Sequence, residues 1–281
     1  MQTRRLVLCA DDYGISPGVS QGIRELAMAG RLSTTSVMSA MPSWPGEAAA
    51  LKALDDKIDI GLHFTLTDQR PLGPMPTIAP EGRFPTIDSL AKRALLGRVP
   101  AAEIEAELDR QLDCFEAHFG RVPDYIDGHQ HVHILPTVRG VVRAAFGRRL
   151  DPARTWLRSV SDDAWRIFSR PYNTKAGAVA AMASGCDAAA RQRGIKLNRG
   201  FSGFYDPAKH TLAGLFEWML NGAKDRHLMM VHPGYVDATL TACDSLTEPR
   251  AEELAWLASD EFPRRLAAAG FTLAGAGTLA S

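Results

Sequence analysis

The sequence has no excess of charge of either sign and few cysteines, and each absence excludes a class of protein. The 281 residues include 32 Lys and Arg and 32 Asp and Glu, which gives a formal net charge of zero. A basic field that would attract nucleic acid is therefore missing. The four cysteines are scattered and form no C-x-x-C pair: Cys9, Cys114, Cys186 and Cys243. They are predicted to be reduced, mostly buried thiols rather than a disulfide framework.

Long hydrophobic runs are missing as well. The longest apolar run near the start of the chain covers only residues 6–10. A signal-peptide core needs roughly seven to fifteen apolar residues, and a membrane span needs roughly twenty. We therefore expect a cytoplasmic protein without a membrane span. What the chain does have is 46% hydrophobic and 23% charged residues, the balance of an ordinary globular protein.

Short apolar runs alternate along the chain with longer segments of helical period. Predicted strands lie at residues 5–10, 34–38, 58–64, 125–127, 156–158 and 228–232, and predicted helices lie between them. This alternation of strand and helix predicts a parallel α/β fold. A closed or incomplete (β/α) barrel suits the length best, and an open doubly wound sheet is the alternative. Because no linker marks a boundary, residues 1–281 are expected to form one domain.

Some stretches do not follow this alternation. Residues 68–100 are rich in proline, so they are predicted to form a long loop insertion without regular structure, a kind of segment that often serves function. In the second half, the Ala-rich residues 175–192 predict one helix, and residues 200–205 predict a short strand or a loop. Three histidines are predicted to lie on the surface: His118, His210 and His227.

Polar side chains follow four of the predicted strands, at the point where each strand ends. Asp11 and Asp12 follow the first strand, His63 follows the third, and the segment 127–133 follows the fourth. His232 ends the strand near residue 230. In (β/α) barrels the active site lies at this end of the strands. These side chains are therefore expected to share one site.

The residue types at these strand ends are typical of a metal site. Two adjacent carboxylates at the end of a buried strand are disfavoured unless a cation or a proton lies between them. His129, His131 and His133 occupy alternate positions, so in an extended conformation they project on one side. A carboxylate with two histidines can bind a metal ion and leave room for a water. The simpler alternatives are a helix cap for the aspartates, a core position for His63 and a solvated loop for 127–133.

Such a site predicts the hydrolysis of an amide or an ester. A bound ion polarises a carbonyl and lowers the pKa of a water toward about 7. A second carboxylate beside it can take the water's proton, and a histidine on the opposite side can protonate the leaving group.

The motifs along the chain resemble those of the YdjC-like carbohydrate deacetylases. The matching segments are residues 10–14 (ADDYG), 30–36 (GRLSTTS), 61–67 (GLHFTLT), 127–133 (DGHQHVH) and 232–234 (HPG), in family order. The resemblance implies a distorted or incomplete (β/α) barrel related to the polysaccharide deacetylases. It also implies a hydrolase that removes an acetyl group from an N-acetylated sugar, either chitooligosaccharide-like or part of a glycolipid, and releases acetate.

The resemblance assigns roles to individual residues. It implies that Asp12, His63 and His129 bind one divalent ion, Mg²⁺ or Zn²⁺. Asp11 would be the general base, and His232 would lie near the leaving amine.

Other side chains are expected to line or support the site. The residues given this supporting role are Tyr13, Asp127, His131, His133 and Tyr205. Tyr13 stands where the family usually has Phe. Sugar sites usually contain aromatic rings, and the candidates for stacking are Tyr13, Trp44, Phe64, Phe204 and Tyr205.

Two other functions are alternatives to deacetylation. The first is a metal-dependent phosphoesterase or another amidohydrolase on a barrel, although such enzymes tend to carry His-x-His on the first strand. The second is a non-catalytic sugar-binding protein. In each case the expected partner is a small molecule or an oligosaccharide, with no nucleic acid, and the sequence leaves a homodimer open.

Overall fold

The computed structural model describes residues 3–169, 173–183 and 185–280 of the chain. Its strands belong to one parallel sheet. They are β1 (Arg4–Tyr13), β2 (Thr34–Val37), β3 (Asp59–Phe64), β4 (Tyr125–Gly128), β5 (Trp156–Leu157), β6 (Lys196–Leu197), β7 (Phe201–Ser202), β8 (His227–Val231) and β9 (Phe271–Leu273).

Helices occupy most of the connections between these strands. They are α1 (Pro17–Met28), α2 (Trp44–Lys52), α3 (Ile87–Leu95), α4 (Ala101–Phe119), α5 (Val138–Ala145), α6 (Ala164–Ser169), α7 (Asn173–Met182), α8 (Cys186–Arg191), α9 (Leu212–Leu220), α10 (Ala238–Cys243), α11 (Glu248–Ala258) and α12 (Glu261–Ala268). A short 3-10 helix covers His129–Ile134.

The order of the strands shows that the sheet curls into an incomplete barrel. The order is β6-β5-β4-β3-β2-β1-β8-β7, with β9 paired to the start of β1. The two edge strands belong to one segment, residues 196–202, which pairs with β5 at its start and with β8 at its end. One short segment can reach both edges only if the edges approach each other. The predicted parallel α/β fold with an incomplete (β/α) barrel is therefore confirmed.

Asn198 supports the junction between the two edges. Its side-chain oxygen accepts a hydrogen bond from the Ser159 N–H at 2.7 Å, and its side-chain nitrogen donates to the Ser159 carbonyl at 2.9 Å. The buried side-chain amide of Asn198 thus bonds to the backbone just beyond the last paired residues of β5 and β6, in place of a further backbone pair. Gly200 then adopts φ +90°, a conformation that favours glycine, and the chain continues to β8.

The central strands are buried along nearly their whole length. Residues 6–13 of β1 and every residue of β3 are buried, as expected for a parallel sheet that is covered on both faces. Polar side chains near the ends of these strands are therefore removed from water, and each needs a partner within the protein.

Two helix ends follow their sequence signals. The Ser16 hydroxyl accepts from the Val19 N–H at 3.2 Å at the start of α1, and Pro17 is its first residue. Gly120 ends α4 with φ +95°.

The prediction that residues 68–100 lack regular structure is wrong. α3 forms within this stretch because Thr86, directly after Pro85, caps it by accepting from the Ser89 N–H. Glu103 of α4 also accepts from the N–H groups of Thr77 and Ile78, each at 3.0 Å. These bonds dock the proline-rich stretch on α4.

Two further predictions in the second half are corrected. The single helix expected at 175–192 is two helices, α7 and α8, because Gly185 between them has φ +76°, which a continuous α-helix does not allow. His227, predicted to lie on the surface, is fully buried as the first residue of β8. Its Nε2 lies 2.8 Å from the Ser202 hydroxyl oxygen, which offers a buried imidazole a polar partner.

No helix among the described residues is both long and apolar enough to cross a membrane. All four cysteines are free, as predicted, but the prediction that they are mostly buried is wrong. Cys9 is fully buried, whereas the other three are only partly buried.

Candidate active site

The carboxyl ends of β1, β3, β4 and β8 meet at a cavity of about 480 Å³. Asp11, Asp12, His63, His129 and His232 all line it. The residues that were selected because they follow the ends of predicted strands therefore lie together in the structure. α3, from the proline-rich stretch, and α7 form part of the cavity wall.

An irregularity at the end of β1 brings both aspartates to the cavity. In a regular strand, neighbouring side chains point to opposite faces. The register of β1 with β2 shifts between Ala10 and Tyr13, and Asp12 has φ +69°. This left-handed conformation costs about 1 kcal/mol or more, and Asp tolerates it better than most residues. Local strain therefore accounts for two adjacent carboxylates at one cavity.

Asp12, His63 and His129 form a cluster of potential ligand atoms. Asp12 Oδ1 lies 3.0 Å from His129 Nδ1 and 3.3 Å from His63 Nε2. The three ligand atoms lie within 4.8 Å of one another, and all three side chains are buried. One carboxylate and two imidazoles fit a divalent ion, and three protein ligands leave a position for water or substrate.

Asp127 orients His63 within this cluster. Asp127 Oδ1 lies 2.7 Å from His63 Nδ1, the ring nitrogen that faces away from Asp12. A carboxylate on that nitrogen favours the tautomer whose Nε2 is free to coordinate. Burial would lower the pKa of His63, but Asp127, Asp11 and Asp12 together raise it to about 10. Without an ion, both ring nitrogens of His63 are therefore protonated near neutral pH. A metal ion bound at Nε2 would displace the proton there.

Arg158 binds Asp11 through two hydrogen bonds. Its Nη1 donates to Asp11 Oδ2 at 2.7 Å, and its Nη2 donates to Asp11 Oδ1 at 2.5 Å. Both side chains are buried. Burial raises the pKa of Asp11, but the charge of Arg158 outweighs burial and holds that pKa well below its usual range. Asp11 is therefore ionised and fixed in orientation near neutral pH.

The same guanidinium fills a second cluster of potential metal ligands. Cys9, Asp11 and Asp127 also offer ligand atoms within 4.8 Å of one another. Arg158 Nη2 lies 2.8 Å from Cys9 Sγ, 2.5 Å from Asp11 Oδ1 and 2.6 Å from Asp127 Oδ2. Because Arg158 occupies the position that a cation would take, this second cluster has no need of an ion.

The histidine segment is not extended, contrary to the prediction. It forms a 3-10 helix directly after Gly128, and Gln130 and His131 are left-handed, with φ +51° and +61°. The three imidazoles therefore do not project on one side. His129 reaches Asp12, and the other two histidines take different positions.

His131 and His133 lie close to the cluster of Asp12, His63 and His129, in two distinct environments. His131 lines the cavity, where its ring centroid lies 5.0 Å from that of Phe204. His133 is buried, and burial lowers its pKa to about 4. His133 is therefore neutral at pH 7.

α11 sends two charged side chains toward the cavity. Arg250 Nη2 donates to Asp12 Oδ2 and to Asp244 Oδ2, each at 2.6 Å. Burial raises the pKa of Asp12, but Arg250 and His129 hold it well below its usual range. Glu253 accepts from the backbone N–H of His232 at 2.5 Å. Arg250 and Glu253 both line the cavity.

Only part of the aromatic prediction fits the structure. Phe204 and Tyr205 line the cavity. Tyr13, Trp44 and Phe64 are fully buried in the core, so the prediction that they contact a sugar is wrong. The turn at Asp12 directs Tyr13 away from the cavity, and its hydroxyl donates to a carbonyl of α2 at 2.9 Å.

Three charged residues at the site were not selected from the sequence. Arg158 directly follows β5, so the strand-end rule would have found it, but arginine is not a metal ligand. Arg250 and Glu253 lie three residues apart on a helix, where such a pair is usually a solvated ion pair. Nothing in the sequence marks them as buried.

Comparison with known proteins supports the resemblance seen in the motifs. A family model described as YdjC-like protein matches residues 5–268. A chitooligosaccharide deacetylase of Serratia marcescens is 32% identical over 279 residues, which cover 95% of this chain and 96% of that protein. A carbohydrate deacetylase of Homo sapiens is 32% identical over 248 residues, or 82% of this chain and 75% of that protein. A crystal structure from Enterococcus faecalis V583 has a TM-score of 0.75 at 23% identity, covers 97% of each chain, and supports the fold alone.

Proposed function

This chain belongs to the YdjC-like protein family, and from that premise we propose that it is a metal-dependent hydrolase that removes the acetyl group from an N-acetylated sugar. Relatives named as carbohydrate and chitooligosaccharide deacetylases support this activity. The observation that carries the proposal is the meeting of Asp12, His63 and His129 at a cavity that Asp11 and His232 also line.

Asp12, His63 and His129 would hold the ion. When bound, a divalent ion polarises the acetyl carbonyl and lowers the pKa of a water toward about 7. Two imidazoles and one carboxylate favour Zn²⁺ or a similar transition ion over Mg²⁺, which prefers oxygen ligands. Asp127 fixes the orientation of His63 for this role.

Asp11 takes the proton from the attacking water. Its carboxylate lines the cavity, and Arg158 keeps it ionised and in one orientation. This ion pair reduces the basicity of Asp11 but ensures that the base is in its reactive protonation state. Because Arg158 balances its charge, Asp11 can lie beside Asp12 without strong repulsion.

His232 donates a proton to the leaving nitrogen. The His232 side chain lines the same cavity as Asp11 and the proposed metal ligands, so it can reach a substrate bound there. As the C–N bond of the acetamide breaks, the acetyl group leaves as acetate with the water's oxygen. The sugar retains a free amine.

The cavity walls suit a sugar with adjoining apolar surface. Phe204 and Tyr205 provide aromatic faces, and Ile87 and Val179 line the parts contributed by α3 and α7. Apolar walls with a few converging polar groups are usual for sites that bind small molecules. Chitooligosaccharides and N-acetylated glycolipids both offer this combination, so both belong in a substrate screen.

The test is an acetate-release screen with the protein loaded with Zn²⁺ or Mg²⁺. The panel contains chitooligosaccharides, acetylated monosaccharides, acetylated glycolipids and nitrophenyl phosphates. We expect acetate from at least one acetylated sugar, and loss of that activity after chelation. Phosphate release without acetate would instead support a phosphoesterase. Tight sugar binding without acetate release would support a non-catalytic binding protein.

A further inference from the structure

The inner face of α11 connects two parts of the site that come from distant segments of the chain. Arg250 and Glu253 are three residues apart, so they lie on the same face of the helix. Both are buried, with exposed fractions of 1% and 3%. Arg250 contacts Asp12, whereas Glu253 contacts the segments that carry His232 and Tyr205.

Glu253 receives one hydrogen bond from each of two loops. The Tyr205 hydroxyl, which follows β7, donates to Glu253 Oε1 at 2.5 Å. The His232 backbone N–H, which follows β8, donates to Glu253 Oε2 at 2.5 Å. Hydrogen bonds to a buried carboxylate are roughly twice as strong as neutral ones. Burial and the Glu253 charge raise the pKa of Tyr205, so its hydroxyl remains a donor.

The turn that carries His232 is also held at a second point. The Gly234 N–H donates to the Arg250 carbonyl at 3.1 Å. Gly234 packs so closely on α1 that a Cβ there would lie 2.9 Å from Val19 Cα. The His-Pro-Gly turn is therefore attached to α11 at both ends and has little space in which to shift.

We propose that Glu253 is a positioning residue for the deacetylation, acting through His232 and Tyr205. By fixing the His232 backbone, it sets the place of the imidazole that protonates the leaving nitrogen. By fixing the Tyr205 hydroxyl, it sets the face of a ring that lines the cavity. Since Arg250 on the same helix contacts Asp12, α11 also fixes the distance between the metal cluster and His232. This inference rests on the proposed function.

The first test compares Glu253→Ala with Glu252→Ala, a matched control at an exposed glutamate on the same helix. A small misplacement of a catalytic group can cost up to about 10²-fold in rate. For Glu253→Ala we therefore expect kcat to fall by about 10- to 100-fold, with metal content unchanged. Glu252→Ala should keep both values. A Glu253→Ala protein with the kcat of the wild type would overturn the proposal.

Conservative variants separate positioning from general stability. The side-chain amide introduced by Glu253→Gln can accept from the His232 N–H and donate to the Tyr205 oxygen, so kcat should return to within about fivefold of the wild type. Tyr205→Phe removes one contact, and we expect it to raise KM more than it lowers kcat. If Glu253→Ala does not fold, Glu253→Asp replaces it, since its shorter side chain cannot reach both donors. Equal losses in Glu253→Gln and Glu253→Asp would contradict the proposal.

A structural measurement keeps this inference distinct from the proposed function. Crystal structures of the metal-loaded wild type and Glu253→Ala are compared at residues 232–234. We expect the His232 imidazole to be displaced or disordered in the variant, with Asp12, His63 and His129 unmoved. If no sugar yields acetate, the proposed function fails while this measurement still decides the role of Glu253. An unmoved His232 would refute that role even if the enzyme is active.

Discussion

Two clusters of potential metal ligands lie side by side in this protein, and they differ in where a guanidinium lies. Asp12, His63 and His129 line the cavity, and their ligand atoms face one another. Cys9, Asp11 and Asp127 are equally close together, but Arg158 Nη2 lies among them. The first cluster can take up an ion, whereas the second is satisfied by a permanent charge of the chain itself.

This difference explains how two adjacent aspartates can have different roles. A guanidinium cannot lose its proton in a protein and cannot leave, so Asp11 has a constant environment. Asp12 is also paired with a guanidinium, that of Arg250, but through Oδ2. Its Oδ1 faces His63 and His129, where an exchangeable metal ion could bind. The same residue type at neighbouring positions can therefore take the two roles proposed above, a fixed base at Asp11 and a metal ligand at Asp12.

The largest effect is expected for Asp12→Asn, which removes the carboxylate of the open cluster. Metal affinity should fall by more than the ~10²-fold that is typical of a lost supporting residue. Activity should fall with it and return in part at high metal concentration. Metal stoichiometry and steady-state kinetics measure both quantities. The control is Asp88→Asn, an exposed carboxylate of α3 that lines the same cavity but is not part of the cluster. Normal metal content in Asp12→Asn would contradict the ligand role.

Asp11→Asn tests the cluster that Arg158 fills. We expect it to keep the metal and to lower kcat at least ~10²-fold, because the attacking water loses its base. Added metal should not restore the rate. If this variant instead loses metal to the same extent as Asp12→Asn, the distinction between the two clusters is wrong.

Asp127→Asn affects both clusters, since Asp127 contacts His63 and Arg158. The loss of charge behind His63 should weaken metal binding by about 10- to 100-fold, the usual range for a residue that supports a ligand. Titration with Zn²⁺ and a competing chelator measures this. An unchanged affinity would show that the hydrogen bond alone, without the charge, orients His63.

Asp59 extends the comparison to a buried carboxylate that accepts its two described hydrogen bonds from uncharged groups. It accepts from the Gly277 N–H at 2.6 Å and from the Trp156 indole N–H at 3.2 Å, and burial raises its pKa to about 6. The folded state therefore binds more protons than the unfolded state between about pH 4 and pH 6. The contribution of Asp59 to the free energy of unfolding should decrease by up to about 3 kcal/mol as pH rises through this range.

Denaturant unfolding at a series of pH values tests this prediction. The wild type and Asp59→Asn are compared from pH 4 to pH 7, and the variant should lack this part of the pH dependence. Activity per folded molecule should be unchanged, because Asp59 begins β3 at the end away from the cavity. Parallel curves for the two proteins would mean that Asp59 does not titrate in this range.

The strand-end rule was enough to find most of the site from the sequence. It selected Asp11, Asp12, His63, His129 and His232 because the carboxyl ends of parallel strands meet at one edge. The path of the histidine segment could not be predicted, since an alternation of polar residues does not reveal two consecutive left-handed residues. The sequence also predicted a cation or a proton between the two aspartates. In the structure, two buried arginines from distant segments each pair with one of the two carboxylates.

The same limits apply to the fold. Short apolar runs identified the central strands, but β6 and β7 have two residues each and carry no periodic signal. β6 was therefore missed, and β7 was predicted only as a short strand or a loop. α3 was missed because several prolines lie shortly before its first residue, although a proline restricts only its own backbone and that of its neighbours. Burial of Arg158, Arg250 and Glu253 depends on contacts across the chain, and no local pattern encodes it.

The pairing of β1 has a consequence for how the protein is made on the ribosome. One side of β1 pairs with β2, but its partners β8 and β9 are among the last parts of the chain to be synthesised. Asp12, His63 and His129 lie on the first four strands and the turn that follows them, so they emerge well before Arg250 and His232. A nascent chain therefore contains all three proposed metal ligands before it contains Arg250, which pairs with Asp12, and His232, the proposed proton donor. The proposed ion site is therefore complete in the nascent chain before β8 can pair with β1 and close that side of the sheet.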